Sequence, residues 1–394
     1  MAVASRNPTP GSQTSLREAN RARIVESLMR HGHLTQVELA GSTGLSPATV
    51  SNIVKELSAS GVLNTSTTSR SGRRAVEVTL ARRTGLVAGL HFSSRQLRVA
   101  VSDIERTIVA EHLVPLAPDH RYDRELDRVT LLLGDTLESL DASLSDLLAI
   151  GIALPVPVRQ STGEVATPGL MRGWDGVPVA AALSDRVQLP VFIDTEANLG
   201  GLAEARFGAA RGRSVSAYIR VGYTISGSII LGGTPFRGAS GRAGQIGHVT
   251  IDENGPICRC GNRGCLEMFA GGPALLELFR DTGLQRMRDL VLRSDAGDAG
   301  ARRAIADAGR HIGIAAASLA NLLDPELIVI GGELAGAGEI LLAPLRHALE
   351  RSVLGGGIDG PEVVEGALGD RAELLGCLAM AIDNVPADWR PQVP

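Results

Sequence analysis

Gly238 to Glu267, GASGRAGQIGHVTIDENGPICRCGNRGCLE, gathers one of the eight histidines and three of the four cysteines of a 394-residue chain. His248, Cys258, Cys260 and Cys265 offer one imidazole nitrogen and three sulfurs, a ligand set with which zinc is held in a tetrahedron. Only Arg259 separates Cys258 from Cys260, so both sulfurs reach one ion through a tight turn, for which Gly261 and Gly264 supply the backbone freedom. The spacing C-x-C-x4-C differs from the common C-x2-C finger pattern, and a disulfide plus one buried thiol is the alternative. The first fifteen residues, MAVASRNPTPGSQTS, lack the apolar core of a secretory signal, which weighs against the disulfide.

The same segment resembles the signature of the ROK family, sugar kinases and transcriptional repressors whose hallmark is a GEIGH-like stretch followed by CxCGxxGCxE. Here it reads Gly244-Gln245-Ile246-Gly247-His248, then Cys258-Arg259-Cys260-Gly261-Asn262-Arg263-Gly264-Cys265-Leu266-Glu267. The resemblance implies a structural zinc on the histidine and three cysteines, and a histidine that also touches sugar hydroxyls. It extends over nearly the whole chain and leaves one question, kinase or repressor.

Composition narrows the field. With 44% hydrophobic residues the chain has material for two or three cores, and no run of eighteen apolar residues appears, so a cytoplasmic protein is expected. Three per cent aromatics and 47 glycines suggest an aliphatic, loop-rich α/β chain. Lys55 is the only lysine, which excludes a Gly-Lys-Ser/Thr phosphate loop. Residues 1–80 carry nine basic against five acidic side chains in a chain of net charge -4, the asymmetry of a basic head on an acidic body.

Residues 1–80 read as a winged helix-turn-helix DNA-binding domain. Ser15 to Arg30 has helical apolar spacing. Thr35 is a candidate cap for a helix burying Val37, Leu39 and Ala40 and ending at Gly44. Ser46 caps a third helix with Pro47 at its first position. In helix-turn-helix geometry that third helix enters the major groove, with Thr49, Ser51 and Asn52 facing bases and Lys55 a phosphate. Two strands joined by a polar loop, Thr65 to Arg74, form a wing in which Arg70, Arg73 and Arg74 reach the DNA backbone or minor groove. Repressors of the resembled family carry such a head and its kinases do not.

From Leu86 the alternation of strands and helices suggests a two-lobed, actin-like ATPase fold of the sugar-kinase type, as the resemblance implies. Residues 81–195 form the first lobe, completed by 378–394, and residues 196–377 the second, which holds the cysteine segment and an oligomerisation surface. In the kinases the first hairpin carries a DxGGT phosphate loop; the matching positions here are His91, Phe92, Ser93, Ser94 and Arg95. The second phosphate loop, GTGIGxG-like, is matched in part by Gly222-Tyr223-Thr224-Ile225-Ser226-Gly227. The kinases' catalytic aspartate lies in an Asn-Asp-Ala-Asn motif, and the corresponding Thr195-Glu196-Ala197-Asn198 holds glutamate at that place. The extra methylene displaces the carboxylate by about 1 Å, enough to cost roughly 100-fold. Asp324 to Gly332, the adenine-side match, reads as scaffold.

The positions that surround the sugar in the family map onto Thr195, Glu196, Gln245, His248 and Glu267, all able to hydrogen-bond hydroxyls. The expectation is a sugar-responsive repressor with structural zinc, without enzyme activity, working as a homodimer or tetramer on an inverted-repeat operator. A kinase with an added head, and a repressor controlled by a protein partner, are the rivals.

Overall fold

The computed structural model describes residues 13–70, 73–80, 85–117, 119–357 and 360–385. The head comprises α1 (Gln13–His31), β1 (Leu34–Thr35), α2 (Gln36–Thr43), α3 (Pro47–Ala59), β2 (Leu63–Arg70) and β3 (Arg73–Leu80). Thr35 and Glu38 form a reciprocal capping box, Gly44 ends α2 in the left-handed conformation, and the Ser46 hydroxyl accepts the Thr49 amide with Pro47 beginning α3. That box fixes the phase of α2. Leu39 is buried, while Val37, two residues and about 200° earlier, is 79% exposed rather than inward as expected.

The wing also differs from expectation. Thr65 to Arg74 is mostly strand, with β2 and β3 in unbroken antiparallel register from Leu63 opposite Leu80 to Arg70 opposite Arg73. Thr65 and Thr67 are β-branched, which favours the extended chain, and an exposed hairpin accepts their polar side chains. The connecting residues 71 and 72, including the Gly72 expected in the loop, lie outside the described residues, as do the side chains of Arg70, Arg73 and Arg74.

The body contains β4 (Leu86–Phe92), β5 (Gln96–Asp103), β6 (Ile108–Pro115), α4 (Tyr122–Glu138), β7 (Leu147–Leu154), β8 (Val158–Arg159), β9 (Glu164–Val165), α5 (Val179–Val187), β10 (Val191–Thr195) and α6 (Glu196–Phe207). It continues with β11 (Val215–Val221), β12 (Ile225–Leu231), β13 (Thr234–Pro235), α7 (Glu267–Ala270), α8 (Gly272–Glu277), α9 (Met287–Asp295), α10 (Ala299–Leu323), β14 (Leu327–Gly331), α11 (Glu339–Ser352), β15 (Glu362–Glu365) and α12 (Ala372–Asp383). Its two five-stranded sheets run β6-β5-β4-β7-β10 and β13-β12-β11-β14-β15. Each is an antiparallel meander of three strands followed by two strands parallel to the first, so one topology occurs twice.

The helix closing each unit crosses to the other. α6 follows the first sheet but packs on β11 and β12, and α12 follows the second sheet but packs on β4 and β7. The two helices meet at the centre, where a Cβ on Gly376 would run into the Leu199 carbonyl. α12 begins at Ala372, six residues before the position expected from the sequence, because the apolar run starting there fills the layer over Val87, Ala100 and Ala149.

The head is not self-contained. Its core of Ile24, Leu28, Leu39, Val50, Ile53, Val54, Leu57, Val78 and Leu80 closes over Ile104 of the body. Beside it, in the turn between β5 and β6, Arg106 has a φ of 70°. Its guanidinium donates to the Arg30 carbonyl at the end of α1 (2.8 Å) and lies 4.6 Å from the Phe207 ring centre at the end of α6. Replacing it with alanine, R106A, should loosen α1 against the body at a cost of about 1–2 kcal/mol. The check is hydrogen exchange of full-length protein: amides of residues 24–32 should exchange faster than in wild type while β7 and β14 are unchanged.

Candidate functional site

The segment after β13 wraps into a compact loop. Cys258 N–H donates to the Asn262 carbonyl (2.7 Å) and Gly261 N–H to the Cys258 carbonyl (2.9 Å), closing the tight turn, with Gly261 and Gly264 both at positive φ. The turn gathers the ligand atoms of His248, Cys258, Cys260 and Cys265 within 4.8 Å of one another. Cys260 Sγ and Cys265 Sγ are 3.7 Å apart, and Cys258 Sγ is 3.6 Å from His248 Nδ1. A sulfur–sulfur bond would be about 2.05 Å, whereas a tetrahedron with bonds of 2.0–2.3 Å has edges of about 3.6–3.8 Å. The donor set therefore fits a metal ion. Burial and the neighbouring sulfurs push the Cys265 thiol up to about 12, so a bound cation is what would hold it as thiolate at neutral pH. Cys377 stands apart, buried in α12 with its thiol on the Leu90 carbonyl.

Beside this cluster lies a small pocket at the meeting of the two lobes, and it brings together Thr195, Glu196, Gln245, His248 and Glu267. Thr195 caps α6, its hydroxyl accepting the Asn198 amide (3.1 Å). Glu267 accepts the Ile225 amide (3.1 Å) and the Arg259 Nε–H (3.0 Å). Arg259, between two candidate metal ligands, was not singled out from the sequence, although its place inside C-x-C was the available signal. With Nδ1 of His248 turned to the sulfurs, Nε2 is the nitrogen left for the pocket.

Glu196 is held more tightly than a catalytic base would be. It is 1% exposed, with Arg220 Nη1 at 3.3 Å, His91 Nε2 at 3.1 Å and the Thr224 hydroxyl at 3.3 Å. Arg220 also contacts Glu373 (3.1 Å), whose carboxylate accepts the Tyr218 hydroxyl (3.0 Å). Burial pushes the Glu196 carboxyl up, and Arg220, His91 and Thr224 outweigh it, leaving it below the ordinary value. Arg220 is pulled down by burial and raised further by Glu196 and Glu373, so it stays charged. The sequence signal for this network was a lone arginine in the apolar strand VSAYIRV.

A larger cleft of about 720 Å³ opens between the lobes next to the pocket. At its mouth the β4–β5 turn is closed on itself: Ser93 N–H donates to the Gln96 carbonyl (2.8 Å) and Gln96 N–H to the Ser93 hydroxyl (3.2 Å). Arg95 reaches across to the Tyr223 ring, 5.1 Å from its centre. The Ser93 and Gln96 amides are thereby turned into the hairpin and away from the cleft.

On α3, Ser51, Asn52 and Lys55 are exposed on the face opposite Val50, Ile53, Val54 and Leu57. The Thr49 hydroxyl is engaged with Ser46 (2.8 Å), which leaves Ser51 and Asn52 as the freer polar groups.

Residues 87–384 match the model of the ROK family and residues 17–64 that of winged helix-turn-helix DNA-binding domains. The chain belongs to the ROK family. Among its relatives, the xylose repressor of Caldicellulosiruptor bescii is 28% identical, the match covering 95% of this chain and 98% of that one. A ROK family transcriptional regulator, a homologue of the E. coli Mlc protein, has a crystal structure that matches with a TM-score of 0.74 at 23% identity over 95% of this chain and 97% of the other. A ROK family glucokinase from Streptomyces griseus, in complex with glucose and AMPPNP, matches with a TM-score of 0.66 at 27% identity. It is covered to 99% but spans only 75% of this chain. This ROK chain thus shares the kinase body and adds a head.

The depressed Glu196 carboxyl predicts an acid-sensitive contribution. A group whose folded pKa lies below its unfolded value stabilises the fold fully above the ordinary carboxylate range and loses that contribution as pH falls through the folded value. Glu196→Gln should cost roughly 3 kcal/mol at pH 7, with the gap to wild type shrinking toward pH 3, as read by urea unfolding at a series of pH values.

Proposed function

We propose that this chain is a sugar-responsive, DNA-binding transcriptional regulator, a repressor of carbohydrate uptake or catabolism genes, and that it does not transfer phosphate. The observation that carries the reading is the state of Glu196. The glutamate at the catalytic-base position is consumed by Arg220 and His91, and the turn that would cradle phosphate is closed on itself, while Thr195, Gln245, His248 and Glu267 still gather in one pocket beside the cysteine cluster. A recognition helix at the other end gives that pocket something to control.

In this reading residues 1–80 bind DNA, 81–195 with 378–394 make one lobe, and 196–377 the other. Ser51, Asn52 and Thr49 face bases while Lys55, Arg70, Arg73 and Arg74 hold the backbone. The sugar is bound by Thr195, Glu196, Gln245, His248 and Glu267. α6 is the connector: its first residue lines the pocket and its last lies under Arg106, which holds the end of α1. A ligand that favours one lobe arrangement shifts the head by that route. Coupling of about 1–3 kcal/mol changes operator affinity roughly 5- to 150-fold. A homodimer or tetramer places two heads on an inverted repeat with half-sites about one helical turn, or a multiple, apart.

Zinc is the metal that the one-nitrogen, three-sulfur set suits. His248, Cys258, Cys260 and Cys265 would hold it, and its role is structural, closing the loop that carries Arg259 against Glu267. Metal analysis of protein purified without chelator should give about one zinc per chain. Cys260→Ser should lose both the metal and several degrees of melting temperature; zinc-free wild type would overturn the assignment.

The functional test starts from an operator selected from random DNA with full-length protein. D-xylose, D-glucose and N-acetyl-D-glucosamine are then titrated into the complex in a mobility-shift assay. Wild type should change affinity with at least one sugar. Glu267→Ala should bind operator as wild type does but not respond, and Asn52→Ala should alter the selected sequence. Phosphorylated sugar formed from ATP would restore the kinase reading, and no response to any sugar would favour a protein partner.

A further inference from the structure

Ser226 was not among the residues expected to bind ligand. It lies on β12 opposite Arg220 and lines the same small pocket as Glu196, Gln245 and Glu267. It is 8% exposed, and its hydroxyl has no hydrogen-bond partner. The polar groups beside it on the chain and across the pocket are taken up elsewhere, Thr224 with Glu196, and the Ile225 amide and Arg259 with Glu267. A buried hydroxyl left unpaired is costly, and because Ser226 belongs to the pocket's lining, a ligand hydroxyl there would supply the missing partner. In the run resembling GTGIGxG this position is a glycine, so the serine adds a donor and acceptor where the pattern has neither.

We propose that Ser226 is a specificity-determining residue of this pocket: its Oγ takes one hydroxyl of the bound sugar, and the pocket prefers the sugar that places a hydroxyl there. The inference rests on the sugar-binding reading above. Ser228 supplies an internal comparison. It stands two residues along the same strand, on the same face, with an equally unpartnered hydroxyl, yet it is turned toward α6 at Gly201 and does not line the pocket.

The experiment is calorimetric titration of full-length wild type, Ser226→Ala and Ser228→Ala with D-xylose, D-glucose and N-acetyl-D-glucosamine, then with each mono-deoxy analogue of the sugar that binds tightest. Ser226→Ala should weaken that sugar about 3- to 10-fold, with Ser228→Ala unchanged. One deoxy analogue should bind wild type and Ser226→Ala equally, identifying the hydroxyl that Ser226 reads. The ligand-free melting temperature of Ser226→Ala should equal or exceed that of wild type, because the substitution removes an unpaired polar group. Unchanged affinity in Ser226→Ala, equal weakening toward every analogue, or a fall in its ligand-free melting temperature would overturn the assignment while leaving the sugar reading intact. Failure of every sugar to bind wild type would overturn both.

Discussion

A buried guanidinium sets the terms for this body. Arg220 is buried between two carboxylates, Glu196 and Glu373, which are themselves buried. Desolvating three charges is tolerable only when each has its partners in place, and removing one leaves another uncompensated. The four elements that supply the network, β4 through His91, α6 through Glu196, β11 through Arg220 and α12 through Glu373, are therefore held in one relation. Glu196, at the place where the family resemblance puts the proton-accepting carboxylate, is here buried and paired with Arg220 and His91.

The repeated topology explains why the network sits where it does. Two similar units exchange their last helices, so α6 and α12 lie against each other between the sheets, and residues at their first turns converge on the junction. Chemistry placed at those turns belongs to both lobes at once. A ligand bound there would meet groups from each unit, and a difference in its affinity for two arrangements of the units would couple occupancy to their relative movement.

Much of this was legible in the chain because it is local. The capping residues Thr35 and Ser46 lie within three residues of their partners, and the four candidate metal-ligand positions fall within one short segment. The gathering of Thr195, Glu196, Gln245, His248 and Glu267 came from resemblance, since no periodicity links positions so far apart. The pairing of His91 with Glu196 spans 105 residues and that of Arg220 with Glu373 spans 153, and nothing near either residue signals the other. The two departures from the kinase pattern looked like independent losses in the sequence, whereas in the fold they touch. The outer half of the wing, Thr65 to Arg74, was misread for a different reason: it holds no apolar residue, so no alternation marks it as strand, unlike Val76, Val78 and Leu80 further along β3.

The sharing of Ile104 between the head's core and the body has a geometric consequence. A DNA-binding module on a flexible tether samples many orientations, and a pair of them tolerates half-sites at several separations. Here the recognition helix is joined to the body by a common apolar core, so in any symmetric assembly the gap between two such helices is fixed by how the bodies pair. The spacing of the operator is then a ruler cut by the body, and the head supplies only the marks read at each end.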